Sequence, residues 1–476
     1  MLARLPPAPA DLGGGSSNSM RAACAIALRR GSATVRFWGR LAVAKKPGFY
    51  GWKLVAVLSS LDFLNLGLPV YGGTVINSYM LREIPMSRST LGFGFTLLNL
   101  FVGLPATLVA ISILKLGIRA TYLIGSALIC LGSLFLAFFA TKPWHFLLGF
   151  GAINGIGVCF GDIVPGTTAV ARWFKRYRGR ATALVLSGSG ISGFLAAPFM
   201  DRLIRIGGGN WRLGWEVIAA IAIVGGILAA VFIKERPEDL GQLADGEPEE
   251  ENPAQPAQPQ VARESRELIT THMWTPSEAY HTRAYWLIVI GGLATQFPFF
   301  FFTAHWILHL QGAGISSSDA AFAMGLFTIS CIAGRLIGGW LMDTMTARYA
   351  FMIGLCCYVV GSLAALRIGP DSLMIADAAA VLYGLAIGWT FICMTTCVAH
   401  FYGPAAFPKL AGMMVLLTSC GASPAGLIGG RIFDVYGSYA RAFELNILIA
   451  AVGIIAMAFA TLPRPRDARV AVAQAA

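Results

Sequence analysis

Few ionisable residues interrupt the long apolar stretches of this chain, and those few could do chemistry. Asp62, Asp162 and Arg335 each lie inside such a stretch. A charge placed in a membrane interior costs roughly 2.5–3.5 kcal/mol on insertion scales, and residues kept at that cost usually function. A guanidinium binds carboxylates through paired hydrogen bonds and stays charged at any working pH. Arg335 is therefore predicted to bind an organic anion. Buried carboxyls can load and release protons, so Asp62 and Asp162 are proton-coupling candidates.

Each of these assignments has an alternative. Arg335 could instead form an internal ion pair with Asp62 or Asp162, which would make the three residues structural. His305 is a second candidate for substrate binding, because imidazole titrates near physiological pH. Its stretch is rich in aromatic residues, including Phe299–Phe302, so a packed, hydrogen-bonded histidine is the alternative there.

The composition identifies the class of protein. The 476 residues are 56% hydrophobic and only 13% charged, whereas soluble domains contain about 25% charged residues. A helix needs about 20 apolar residues to cross a bilayer, and it satisfies its own backbone polar groups there. The chain is thus predicted to be an all-α, multi-pass membrane protein with membrane lipids as partners. Twelve spans are expected, centred roughly in 53–77, 90–113, 119–140, 145–170, 181–203, 213–233, 285–310, 317–341, 349–367, 372–400, 409–432 and 441–462.

A duplication organises these spans. The run RATYLIG at Arg119–Gly125 returns as RYAFMIG at Arg348–Gly354, and ARWF at Ala171–Phe174 is answered by AHFY at Ala399–Tyr402. Parallel repeats of apolar units mark one group of transporter folds. The predicted domains are a basic, disordered N-terminal extension (1–50), a six-helix bundle (51–233), a cytoplasmic linker (234–282), a second six-helix bundle (283–463) and a tail (464–476).

The linker and the termini are expected in the cytoplasm. The stretch 234–260 is rich in Glu and Pro and lacks aromatic residues, which predicts disorder. The short loops on the two sides of the membrane carry equal numbers of basic residues, so they do not determine the orientation. Basic residues flanking the terminal and central spans do decide it: Arg36, Arg40, Lys45, Lys46, Lys53, Lys234, Arg236, Arg283, Arg464, Arg466 and Arg469. A plasma (inner) membrane location is predicted.

Residues 1–50 are either a targeting segment or an overlong gene start with initiation at Met20.

Other function classes lack a supporting pattern. The net charge of +12 is attributed to this topology rather than to nucleic-acid binding. The nine cysteines show no CxxC or Cys/His ligand spacing, so neither a metal site nor a cofactor is predicted. SGSGISG at Ser187–Gly193 lacks the lysine of a phosphate-binding loop, and no catalytic constellation indicates an enzyme. A monomer is expected.

Several motifs in both halves resemble the major facilitator superfamily, and within it the oxalate:formate antiporter and monocarboxylate transporter group. They are FYGWKLV at Phe49–Val55, WFKRYRGRATAL at Trp173–Leu184, RPEDLG at Arg236–Gly241, AGRLIGGWLMD at Ala333–Asp343 and FDVYGSYARAF at Phe433–Phe443. The resemblance implies two pseudo-symmetric six-helix bundles. It also implies that an arginine at the position of Arg335 contacts an anionic substrate.

The chain departs from the resembled groups at functional positions. Cys420 stands where the antiporters carry a second cation, and Val70 follows Pro69 where the monocarboxylate transporters have lysine. Cys331 replaces an acid four residues before Arg335. One central cation favours a monoanion over a dianion.

The gating motif of the superfamily, in the loop between the second and third helices of each half, is also incomplete. It survives in the second half as Gly339, Asp343 and Arg348, whereas Leu114 occupies the acidic position of the first copy. Structural anchoring is the alternative role for this motif.

The predicted function is secondary active transport of a small organic anion, in particular a monocarboxylate, by alternating access, as a proton symporter or as an exchanging antiporter. Two alternatives stay open at this point. One is an exporter of amphipathic drugs or metabolites, and the other is a non-transporting membrane receptor with a transporter body.

Overall fold

The computed structural model describes residues 49–175, 177–246, 270 and 272–463, and for Asp343, Pro404, Ala405 and Pro408 it describes the backbone alone. The predicted tail 464–476, and all but the last two residues of the predicted extension 1–50, lie outside the described residues. The central part of the linker lies outside them as well.

The described chain is α-helical, as predicted, and has no strand. Within it, eleven helices are long and apolar enough to cross a membrane, and a pair bent by 41° makes a twelfth span. The spans are α1 Gly51–Glu83, α2 Arg88–Gly103 with Ala106–Leu116, α3 Ile118–Phe139, α4 Pro143–Trp173, α5 Arg178–Ile206, α6 Arg212–Phe232, α7 Arg283–Gly312, α8 Ser317–Met342, α9 Ala347–Ala365, α10 Leu373–Gly403, α11 Lys409–Tyr436 and α12 Ala440–Phe459.

Local signals in the sequence set several helix ends. The hydroxyl oxygens of Ser87, Thr282 and Ser316 accept a backbone N–H in the first turns of α2, α7 and α8, which satisfies donors that a helix start leaves unpaired. Gly403 separates α10 from α11 at φ +74°, a backbone conformation that glycine adopts without steric cost.

Helices α1–α6 form the first bundle and α7–α12 the second. The linker between α6 and α7 leaves from one end of the molecule, here named the linker end, and the opposite end is named the far end. The bundles meet where α5 packs on α8 and where α2 packs on α11. Gly92 of α2 lies directly against the carbonyl of Gly426, and Gly430 lies directly against the carbonyl of Arg88. Small residues permit such close approach of helix backbones.

This contact between the bundles occupies only the far end and the middle of the helices. At the linker end, the corresponding segments Ala106–Leu116 of α2 and Arg178–Val185 of α5 pack on helices of their own bundle. The described bundles therefore separate towards the linker end, and the central space opens on that side.

The first part of the linker is folded, contrary to the predicted disorder. Glu235 pairs with Arg172 at 2.9 Å, and the backbone N–H of Lys175 donates to Asp245 at 2.9 Å. The Trp173 indole donates to the Lys234 carbonyl at 3.2 Å. These contacts hold residues 234–246 on the linker end of α4. Composition alone could not show them, because the partners lie about 60–70 positions away.

Candidate functional site

Helix irregularities in three spans surround the central polar residues of the first bundle. Helix α1 changes to wide π-helical turns over Phe63–Gly72, a segment that contains Pro69. Helix α4 breaks at Asp162, where φ is −143° and ψ is −111°. Helix α5 is interrupted at Leu186, between the stretches Arg178–Val185 and Ser187–Ile206. Such irregularities free backbone groups from the helix and often mark functional positions.

The two membrane carboxyls are brought together at these breaks. Asp62 ends the regular first part of α1 and is 1% exposed, and Asp162 of α4 is 4% exposed. Their carboxyl groups are neighbours, and one can donate a hydrogen bond to the other when it carries a proton. Asp62 Oδ2 also accepts the backbone N–H of Ser189 at 2.5 Å. The sequence identified both residues but not their contact.

Asn65 is a member of this cluster that the sequence reasoning missed. Its side-chain amide donates to the Gly161 carbonyl at 3.0 Å and to Ser126 Oγ at 3.2 Å. The Gly161 carbonyl directly precedes the break at Asp162, so Asn65 helps to satisfy the backbone that this break leaves open. A buried asparagine in an apolar span was the available signal, because amides in membranes seek hydrogen-bond partners.

Arg335 of α8 approaches the cluster from the second bundle. The side chain is half-buried, and its Nη1 donates to the Leu186 carbonyl at 3.2 Å. Its charge acts on Asp62, yet among the described side chains no carboxylate lies within the 4.0 Å of an ion pair with it. A guanidinium has five N–H donors, so most of its binding capacity remains for another partner.

His305 lies elsewhere, in a packed contact of the far end. One ring nitrogen lies 2.7 Å from the Gly426 carbonyl and the other 3.1 Å from the Tyr439 hydroxyl. The side chain is 0% exposed. Both ring nitrogens have protein partners, and no described contact joins His305 to Arg335. This geometry favours the packing alternative for His305.

The residues of the gating motif also lie outside the central cluster. Arg348 donates to the Ala460 carbonyl at 3.2 Å and to the Tyr349 hydroxyl at 2.9 Å. An alanine Cβ at Gly339 would find open space, and the Asp343 side chain is outside the description. These contacts lie within the second bundle.

The first copy of the motif obtains a carboxylate from another part of the chain. Glu235, two residues after Ile233 at the end of α6, accepts the backbone N–H groups of Ile118 and Arg119 at 3.0 and 2.9 Å. It also binds Arg172. An acid at a helix N-terminus is electrostatically favourable, so Glu235 holds the start of α3 although Leu114 replaces the acid of the motif. No local feature of the sequence indicates that Glu235 supplies the missing carboxylate.

The position of Cys331 also matters, since it replaces the acid that the resemblance implies. It lies one turn before Arg335, and its thiol contacts the Phe327 carbonyl of its own helix at 3.2 Å. Arg335 therefore has no acidic neighbour on its own helix at that position.

Comparison with known proteins agrees with this architecture. The sequence profile of the Major Facilitator Superfamily matches residues 55–414. The chain belongs to this superfamily. Monocarboxylate transporter 13 of Rattus norvegicus is 27% identical over 348 residues, which cover 72% of this chain and 73% of that protein. Monocarboxylate transporter 11 of Homo sapiens is 26% identical over 341 residues, which cover 69% and 66%.

Solved structures of transporters share the fold. A bacterial homolog of the human lysosomal transporter Spinster, inward-facing and unoccupied, aligns with a TM-score of 0.67 at 16% identity, over 88% of this chain and 97% of that one. A D-xylose-proton symporter aligns with a TM-score of 0.66 at 15% identity, over 88% and 98%. The predicted superfamily and major facilitator fold are confirmed. The chain is a multi-pass membrane protein of a transporter family and not an enzyme.

Proposed function

We propose that this superfamily member transports a small organic anion, of the monocarboxylate class, and that Arg335 binds the carboxylate of the substrate. The observation that carries the proposal is the state of Arg335. It is a half-buried cation beside the middle of the bundle interface, and its one described hydrogen bond goes to the Leu186 carbonyl. A substrate carboxylate can take the remaining donors in a paired geometry.

Two further observations support the substrate class. The relatives that match most of the chain are named monocarboxylate transporters. In the second bundle, Cys331 and Cys420 stand where the resembled groups carry an acid and a second cation, so the resemblance implies that Arg335 is the single central charge there. A single positive charge matches a single carboxylate.

The transport mechanism in this proposal is alternating access, driven by protons or by exchange. The bundles touch at the far end and separate at the linker end, so substrate reaches Arg335 from the linker side in this conformation. The flanking basic residues support a cytoplasmic linker end, and the proposal assigns the protein to the plasma (inner) membrane.

Uptake into proteoliposomes tests this proposal. Labelled monocarboxylates and dicarboxylates are supplied one at a time, and saturable counterflow is measured with unlabelled anion inside the vesicles. We expect a monocarboxylate to exchange, and Arg335→Ala to lower its exchange at least about tenfold, since hydrogen bonds to charged groups contribute about 1.5–3 kcal/mol. Arg367→Ala is the control, because Arg367 is an exposed arginine at the far end. Normal exchange by Arg335→Ala would exclude Arg335 as the carboxylate receptor.

A further inference from the structure

The Asp62–Asp162 contact contains two acceptor oxygens without a described donor. Asp62 Oδ1 and Asp162 Oδ2 are buried, and neither has a hydrogen-bond donor among the described groups. Ionised carboxylates only accept hydrogen bonds, and two carboxylates in contact repel each other. A single proton between the two groups supplies the missing donor and removes the repulsion. The geometry is therefore that of two carboxyls positioned to share one proton.

Asp62 also occupies a place that attracts carboxylates in general. Its Oδ2 accepts the N–H of Ser189, the third residue of the second helical stretch of α5. The first N–H groups of a helix have no partner inside the helix, and they attract anions. The charge of Arg335 acts on the same carboxyl. Asp62 thus faces both a helix start and a guanidinium, the two features that would also receive a substrate carboxylate.

The break in α5 connects these two features directly. Leu186 accepts the hydrogen bond from Arg335, and Ser189, three residues later, donates to Asp62. Gly188 lies between them, where an added Cβ would lie 3.1 Å from Asp62 Oδ2. An anion that takes the remaining donors of Arg335 therefore binds beside the Leu186 carbonyl, next to the segment that holds Asp62.

We propose that Asp62 and Asp162 form a one-proton dyad, and that the negative charge of Asp62 and that of the substrate carboxylate alternate in the space beside Arg335 and the start of the second α5 stretch. The inference rests on the proposed function. When the anion binds, Asp62 gives up its negative charge by taking a proton from the water on the open side, and an O–H bond forms. When the anion leaves on the other side, that O–H bond breaks and the proton enters the water there. One proton accompanies each monoanion.

The other titratable or charged groups around the dyad do not take this role. They are Arg335 and Cys331 of α8, Tyr71 of α1, Tyr122 of α3 and Cys159 of α4. Arginine stays protonated in proteins, and tyrosine and cysteine ordinarily lose their protons above neutral pH. The carboxyl pair is the remaining place for a transported proton.

Accumulation driven by a proton gradient tests the dyad. Proteoliposomes that contain the full chain receive a pH difference of one unit, with labelled monocarboxylate outside. One proton per monoanion gives the wild type about tenfold accumulation on the alkaline side, since a tenfold concentration ratio matches one pH unit. Asp62→Asn, Asp162→Asn and the double variant should each give a ratio of about 1 and still perform counterflow, because asparagine mimics the neutral carboxyl. Asp371→Asn, an exposed far-end residue, should accumulate like the wild type.

Several results would overturn the inference. Tenfold accumulation by either single variant would show that the two carboxyls do not act as a unit. If accumulation by the wild type depends on a sodium gradient and not on the pH gradient, the two carboxyls bind a metal cation instead of a proton. Failure of the proposed function can be distinguished from failure of the dyad, because it would appear as counterflow that is unchanged in Arg335→Ala.

Infrared spectroscopy tests the shared proton even in variants that no longer perform counterflow. The infrared spectrum of the purified wild type at neutral pH should contain a protonated-carboxyl band. Both single variants should remove or shift that band. A wild type without the band, or a variant with an unchanged band, would refute the shared proton.

Discussion

Closure of the far end depends on glycines that let two helices touch, and Gly430 gives the sharpest test. A Cβ added at Gly430 would overlap the carbonyl oxygen of Arg88 and would lie 2.5 Å from the backbone nitrogen of Ser89. Both atoms belong to the backbone of α2, so no side chain can rotate to make room. Gly430→Ala therefore obliges α2 and α11 to separate at the far end by about 1 Å, because carbon contacts are ordinarily about 3.5–4.0 Å long.

The energetic effect falls on one conformation only. Overpacking of this size costs about 1–3 kcal/mol, and it applies while the far end is closed. An open far end carries no such cost, because the two helices are then apart. The equilibrium should shift towards the open far end by a factor of about 5 to 150.

Spin-label distances report this shift. Labels placed at the exposed far-end positions Arg202 and Asp371, in a cysteine-free background, measure the separation between the bundles. Gly430→Ala should show a longer distance component than the wild type does. Gly412→Ala is the matched control on the same helix, since nothing lies within 4 Å of its added Cβ. Identical distributions for the wild type and Gly430→Ala would refute the claim that this contact controls closure.

Two further predictions concern carboxylates that hold helix starts. Asp434 accepts the N–H groups of Arg88 and Ser89 across the bundle interface, both at 2.9 Å. Asp434→Asn should favour the open far end by about fivefold, since a charge at an exposed helix start contributes about 1 kcal/mol. The same spin-label distances measure this shift, and an unchanged distribution would contradict the prediction. Glu235→Gln should lower the melting temperature in detergent by about 2 °C through loss of its contacts to Arg172 and α3. Glu444→Gln, whose partner Arg441 lies on the same helix, should change it less, and an equal change would contradict the proposed anchoring.

The central site was only partly predictable. Asp62, Asp162 and Arg335 stand out in the sequence because each is a charge in an apolar stretch, and the structure brings these three residues to one region. His305 has the same kind of signal but lies in the far-end contact between Gly426 and Tyr439. A rare polar residue in a span indicates that a partner exists, but it does not indicate whether that partner is a substrate or the protein itself.

Glu235 shows the same limit for the gating motif. The motif in the first half lacks its acid at Leu114, which weakens the case for gating through that loop. The structure supplies a carboxylate from the end of α6, 117 residues from Ile118. Helix starts attract any carboxylate that the fold brings near, so an incomplete motif does not establish a missing interaction.

The amino-acid sequence is sufficient to predict about twelve membrane crossings in two similar halves. That result is local, because each apolar stretch satisfies its own backbone as a helix and each boundary is marked by nearby polar residues. Two features became visible in the folded molecule alone: Asp62 and Asp162 are neighbours, and Arg335 reaches the break in α5 from the other bundle. These contacts depend on how kinked helices cross, and the crossing is set by packing between segments that are about a hundred or more residues apart in the chain.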